Sequence, residues 1–264
     1  MTTHVLDSIR SGPEHRPRRI LLYGTHGIGK TTFAAMSERP IFIQTEDGLG
    51  TLSADRFPLC TSWGDVLSSL DALLEGRHEY ETLVLDSLDW LERLILTETC
   101  RRRQVESIEE IPYGKGYVHA LVHWREVLTK LDRLRDERNM QSILIAHAGI
   151  ERFHNPETES YDRYAPRLQK HASFMVQEWA DEVLFAAWRV HTRSSSQGFD
   201  RRRIQGIGTG QRVLKTTERP SHVAKNRLNL PDEMPLDYDA FAEIARGGSV
   251  DSITTGETTR HGEH

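Results

Sequence analysis

The sequence predicts an α/β fold: a mostly parallel sheet with helices on both faces and a β-hairpin added towards the C-terminus. Three features predict it. Short apolar runs of strand length alternate with segments of helical period, as in a sheet covered on both sides. The first apolar run passes directly into a glycine-rich turn and then a helix. After Trp188 the alternation stops, and two strand-like stretches flank a Gly-Thr-Gly turn.

The elements follow in order. Residues 19–23 (RILLY) are apolar enough for a buried strand, and the helix after the turn runs through Phe33 to Met36. Residues 41–44 form a second strand. Residues 63–74 have helical spacing, with Val66, Leu67, Leu70, Leu73 and Leu74 on one face. Residues 82–85 form a third strand, and 88–97 return to helical period. A long amphipathic helix spans 118–134, with Val118, Leu121, Val122, Leu128, Leu131 and Leu134 on its inner side. Residues 142–145 and 182–187 give a fourth and fifth strand. The hairpin is expected from 201–207 and 211–217, turning at 208–210.

Residues 1–17 are polar, with Pro13 and Pro17, and read as a flexible arm. Residues 246–264 hold almost no apolar side chain and read as a disordered tail. One domain, 18–245, is expected between them.

Composition narrows the function. The 264 residues carry 34 Lys and Arg against 39 Asp and Glu, a net charge of -5. The chain is no polycation, so any nucleic acid must meet a local basic surface. Two cysteines, Cys60 and Cys100, exclude a disulfide framework and a multi-cysteine zinc site and fit a reducing cytoplasm. The first 19 residues lack the apolar segment of a secretory signal. No apolar run approaches the ~18 residues of a membrane span, so no membrane partner is expected. Trp63, Trp90, Trp124, Trp179 and Trp188 lie in apolar or amphipathic runs and read as core or interface.

The chemistry centres on residues 24–31, GTHGIGKT. They match G-x-x-x-x-G-K-[ST], the P-loop, in its required setting between a strand and a helix. Phosphate oxygens must approach backbone N–H groups closely, which Gly24, Gly27 and Gly29 permit. Lys30 would reach the β- and γ-phosphates, and the Thr31 hydroxyl would bind Mg²⁺. Thr25, His26, Ile28 and Thr32 complete the nucleotide-binding stretch, with His26 at a variable, solvated position. Asp86 ends the third strand, where a carboxylate can hold the Mg²⁺ shell through water, and Ser87 could share that role. Asp89 reads as a helix-start residue. The second strand delivers Glu46 and Asp47, either of which could orient water against the γ-phosphate.

The same residues resemble the RecA-like recombinase core. More closely, they resemble the phage-encoded ATP-binding proteins of that superfamily that act in single-strand annealing and recombination. The likeness runs from about Arg18 to Pro235. It implies that Glu46, ending Phe42-Ile-Gln-Thr-Glu46, activates water, and that Leu83-Val-Leu-Asp86-Ser87 is the Walker B strand. It implies that Leu144-Ile-Ala-His147 ends in a γ-phosphate sensor, where RecA has Gln. Val223-Ala-Lys225-Asn226-Arg227 resembles RecA's Lys-Asn-Lys. Lys225 and Arg227 would then act in trans on a neighbour's ATP, which requires a homo-oligomeric ring or filament.

Two segments carry the expected DNA contacts. Residues 149–171 read as a long structureless loop, sited where RecA keeps a mobile DNA-binding loop. It interleaves Arg152, Arg163, Arg167 and Lys170 with Phe153, Tyr161 and Tyr164, cations for phosphates and rings for bases. Glu151, Glu157, Glu159 and Asp162 dilute its charge. Lys115, between Gly114 and Gly116, marks a second loop. The expected function is Mg-ATP hydrolysis coupled to single-stranded DNA binding and annealing, with a single-strand-binding protein as loading partner. A ring helicase or translocase motor, a small-molecule kinase with 149–171 as its lid, and a binding module with little turnover are the alternatives.

Overall fold

The centre of the sheet is the first strand, β1 (Arg19–Gly24), which is hydrogen-bonded on both sides. Leu21 and Tyr23 point into one core and Ile20 and Leu22 into the other, all fully buried. A strand buried on both faces must be a continuous apolar run, as this one is. The computed structural model describes residues 9, 11–12, 16–196 and 202–247. The expected arm and tail fall almost wholly outside the described residues.

The other strands are β2 (Pro40–Gln44), β3 (Asp55–Arg56), β4 (Thr82–Asp86), β5 (Gln141–Phe153), β6 (Tyr161–Pro166), β7 (Glu182–Ser196), β8 (Arg202–Lys215) and β9 (Glu233–Pro235). Their order is β3-β2-β4-β5-β1-β7-β8-β9, with β6 paired to the far half of β5. From β3 to β7 the pairing is parallel, and β8 and β9 add antiparallel. This is the mostly parallel α/β sheet of a P-loop NTPase core. Register aligns the strand tips: Gln44 lies beside Asp86, and Gly24 lies between His147 and Ala186. Open parallel sheets bind ligands at this carboxyl edge.

Helices α2 (Trp63–Glu75), α3 (Leu88–Arg103), α4 (Lys115–Arg138) and α5 (Lys170–Trp179) cover one face, and α1 (Lys30–Ala35) and α6 (Tyr238–Ala245) the other. Helix α2 begins at a capping box: Asp65 N–H donates to Ser62 Oγ at 3.2 Å, and Ser62 N–H to the Asp65 carboxylate at 2.9 Å. The inner stripe of α4 is Ala120, Leu121, Trp124, Val127, Leu128, Leu131 and Leu134. Val118 and Val122, expected inside, are 52% and 57% exposed. Their positions fall outside the arc that 120, 124, 127, 131 and 134 define at 3.6 residues per turn. Among the described residues no helix is long and apolar enough to cross a membrane.

Two expectations need correction. The C-terminal hairpin pairs β7 with β8, and 208–210 is strand rather than turn. Strand β7 runs on to Ser196, past a bulge at Trp188 and Val190, and supplies the partner that the glycines had suggested lay elsewhere. The segment 149–171 is not a structureless loop. Strand β5 continues beyond His147 to Phe153 and returns as β6, after which α5 begins. The acidic residues that dilute its charge are cross-strand partners: Glu151 faces Arg163 and Arg152 faces Asp162.

Candidate active site

The P-loop lies on the carboxyl edge, held by its neighbours. A Cβ on Gly24 would sit 2.4 Å from the Ala186 carbonyl oxygen, so β1 and β7 can approach only with glycine there. Gly29 has φ +108°, in the left-handed region where glycine is unstrained. Ile28 is fully buried in the α1-side core and anchors the loop. Lys30, itself buried, donates from Nζ to the Gly24 carbonyl at 3.1 Å and to that of Thr25 at 2.9 Å. Burial lowers its pKa, against the opposing pull of Asp86, Asp89 and Glu46.

The tips of β2 and β4 are clipped together. Thr45 Oγ1 donates to the Ser87 carbonyl at 2.7 Å, and Thr45 N–H to the Asp86 carbonyl at 2.8 Å. Ser87 Oγ donates to Glu46 Oε2 at 3.1 Å, which fixes that carboxylate at the edge. Thr31 Oγ1 donates to Asp86 Oδ2 at 2.9 Å. Burial raises the Asp86 pKa, and Thr31 and Lys30 offset it only in part. A hydroxyl and a buried, under-compensated carboxylate side by side are a hard-oxygen donor set that fits Mg²⁺.

His147 ends the parallel half of β5. Its Nδ1 lies 2.9 Å from Asp89 Oδ2, and its main-chain N–H donates to Asp89 Oδ1 at 3.2 Å. The same carboxylate receives Arg167 Nη2 at 2.6 Å. Burial alone would raise the Asp89 pKa, but hydrogen bonds from His147 and Arg167 outweigh it and hold the group well below the carboxylate range. The His147 ring stacks on His26 of the P-loop, centroids 3.8 Å apart and 24° between planes. Burial and then the nearby His147 lower the His26 pKa. Glu46, Asp89 and His147 each bring one donor atom to within 4.8 Å of the others. A turn further along α3, Glu92 accepts the Gln169 N–H at 3.0 Å, and burial pushes its carboxyl up to about 7.

The structure thus brings together Lys30, Thr31, Asp86, Glu46, His147 and His26. It adds Asp89, a helix-start residue by its position in the sequence. Asp89 does lie in the first turn of α3, but it is buried, in a stretch of the helix where Leu88 and Leu91 are buried too. A carboxylate in that position needs a cationic or N–H partner, which was the available signal.

Other expected residues lie apart. Lys225 pairs with Val183, at the start of β7 and away from the P-loop edge. Its Nζ donates to the carbonyls of Gln177, Glu178 and Ala180 at 3.1, 2.9 and 2.6 Å, capping the C-terminus of α5. Arg227 pairs with Asp181 at 3.1 Å. Arg163 bonds Glu151 at 2.7 Å and Glu218 at 3.3 Å, with its guanidinium 4.2 Å above Phe153. Phe153 packs on Tyr161, and Tyr164 stacks on Phe185. Arg152 meets Asp162 at 3.7 Å. Lys170 and Lys115 carry no ion pair among the described residues. Each sits 5.8 Å from a ring, Phe174 and Tyr113 respectively. Gly114 and Gly116, expected to admit a ligand, instead start α4: Gly114 takes φ +65°, and a Cβ on Gly116 would meet the Ile108 carbonyl at 2.6 Å.

A family profile described as an AAA domain matches residues 16–228. The SPbeta prophage-derived uncharacterized protein YorG of Bacillus subtilis (strain 168) is 25% identical over 235 residues, which cover 84% of this chain. The chain spans 62% of the length of that relative.

Proposed function

The chain belongs to the AAA domain family of P-loop ATPases, and on that premise we propose that it binds and hydrolyses Mg-ATP and uses the cycle to control single-stranded DNA in phage-type annealing or recombination. One observation carries the ATP reading. Lys30, Thr31, Asp86, Glu46 and His147 come from four separate strand tips and meet at one sheet edge. In this reading Lys30 leaves the loop carbonyls for the β- and γ-phosphates. Thr31 and Asp86 would hold Mg²⁺, which when bound would supply neutralisation of the phosphate charge. Glu46, steadied by Ser87, orients the attacking water and accepts its proton. His147, fixed by Asp89, hydrogen-bonds the γ-phosphate.

The route out of the site is His147, Asp89 and Arg167, one hydrogen-bonded unit. Arg167 directly follows β6, so the γ-phosphate state bears on how the β5–β6 hairpin and α5 are held. The prophage origin in the relative's name favours a phage process. DNA contact then rests on Lys170, Lys115 and the exposed Arg152–Asp162 pair, which phosphate can displace. A ring or filament would draw its trans cation from Arg227, whose side chain is 54% exposed and would exchange Asp181 for the phosphate, because Lys225 is held by three carbonyls of its own chain.

The test is steady-state ATP hydrolysis at ~0.1 M salt, comparing no DNA, single strands and duplex, with Lys30→Ala as control. Turnover that single strands alone stimulate, and that Lys30→Ala abolishes, is expected. Turnover indifferent to DNA would leave an ATPase whose output is another partner. Turnover unchanged in Lys30→Ala would overturn the P-loop assignment.

A further inference from the structure

The carboxylates and His147 all lie on one side of the P-loop, towards β4 and β5. The opposite side, towards β7 and β8, presents Arg212 to the loop. Arg212 on β8 places Nη1 2.7 Å from where a Cβ on Gly29 would stand, and Cζ 3.7 Å from it. Leu236 Cδ2 is 3.6 Å from the same point. The guanidinium therefore lies directly over the bare backbone of the glycine that precedes Lys30.

Its backbone is fixed. Arg212 pairs with Trp188 across β7–β8, and the Leu236 N–H donates to the Arg212 carbonyl at 3.1 Å. Trp188 is two residues beyond Ala186, the partner of Gly24, so Arg212 stands level with the loop beyond the end of β1. Its surroundings differ from those of other arginines of the fold. Arg163, Arg167 and Arg227 each face a carboxylate within 4 Å, whereas no carboxylate lies that close to Arg212 among the described residues. A guanidinium aimed at a phosphate loop without a protein anion is matched to an anion that arrives with the ligand.

We infer that Arg212 is a nucleotide ligand supplied in cis by the C-terminal hairpin, gripping the α/β-phosphate and ribose end while Leu236 packs beside it. The inference rests on the ATP reading above. With the γ-phosphate directed to Asp86, Glu46 and His147, the rest of the nucleotide lies on the Arg212 side. Arg212 therefore binds the part that ATP and ADP share, so it sets affinity for both and does not discriminate between them.

The experiment titrates Mg-ATP and Mg-ADP into the full chain by calorimetry, for wild type, Lys30→Ala, Arg212→Ala and Arg212→Lys. Thermal melts without nucleotide check that each variant is folded. Arg212→Ala should weaken ATP and ADP by the same factor, about tenfold or more, as expected for a charge-assisted contact. Arg212→Lys should fall between, because it keeps the charge and loses the planar fork. Affinities unchanged for both nucleotides would overturn the inference while leaving the P-loop reading intact. A loss confined to ATP would overturn it too, by moving Arg212 to the γ-phosphate. A wild type that binds neither nucleotide would instead remove the ATP reading on which it rests.

Discussion

His147 Nδ1 lies 2.9 Å from Asp89 Oδ2, and through that carboxylate the P-loop edge is coupled to Arg167 at the end of the β5–β6 hairpin. On one side the His147 ring stacks on His26 of the P-loop. On the other, the Asp89 carboxylate also takes Arg167. Asp89→Asn keeps the size and loses the charge that both partners need. The fold should weaken by about 1–3 kcal/mol in urea unfolding, the cost of leaving buried groups poorly partnered. The ratio of ATP turnover with and without single-stranded DNA should fall towards one. A ratio equal to wild type would mean that Asp89 holds structure only.

Glu182 is fully buried at the start of β7, and neither carboxylate oxygen has a hydrogen-bond partner among the described residues. Burial pushes its carboxyl from 4.5 up to about 7. A raised folded pKa means that the stabilising contribution is fully present below the unfolded value and disappears as pH rises through the folded one. Between pH 4.5 and 8 the native state should therefore lose up to ~3 kcal/mol from this group, at ~1.4 kcal/mol per pKa unit. Glu182→Gln should flatten that fall, measured as Tm at pH 5 and pH 8. An identical pH slope in the variant would show that Glu182 does not carry it.

The Tyr23 hydroxyl donates to the Val223 carbonyl at 2.6 Å and approaches that of Tyr164 at 3.2 Å, fastening β1 to β6 and the 223 segment. Tyr23→Phe leaves the buried Val223 carbonyl short of a donor. A stability loss of about 1–2 kcal/mol is expected by thermal or urea unfolding. No loss would indicate that water reaches the carbonyl in the native state.

Gly24→Ala puts a methyl 2.4 Å from the Ala186 carbonyl oxygen, on backbone that cannot swing aside. Strands β1 and β7 must separate locally, at about 1–3 kcal/mol or more. ATP affinity should fall with it, because the P-loop begins at that residue. Wild-type stability and affinity together would contradict the close approach.

Much of this was legible in the sequence, because it is written in local pattern. A glycine-rich turn between a strand and Lys30 has few readings, and Asp86 and Glu46 follow from apolar runs that end in acid. The misreadings share a physical cause, namely pairing between distant residues. Glu151 and Arg163 looked like a diluted basic loop because their register across β5 and β6 is invisible from order alone. Lys225 looked like a free cation because the carbonyls it caps belong to α5, some 45 residues earlier. Arg212 escaped notice for the same reason: nothing in its neighbours in sequence places it over Gly29. Asp89 was read by its helix position, which is right, without the burial that gives it a second task.

In the proposed mechanism this edge hydrolyses ATP with Glu46 as the water-orienting base. The direct measurement is ATP turnover and ATP affinity of Glu46→Gln, on the same preparations as wild type. Turnover should drop by at least ~100-fold, the usual contribution of a positioned base, with ATP still bound. Turnover within threefold of wild type would contradict this role for Glu46 and place the base elsewhere.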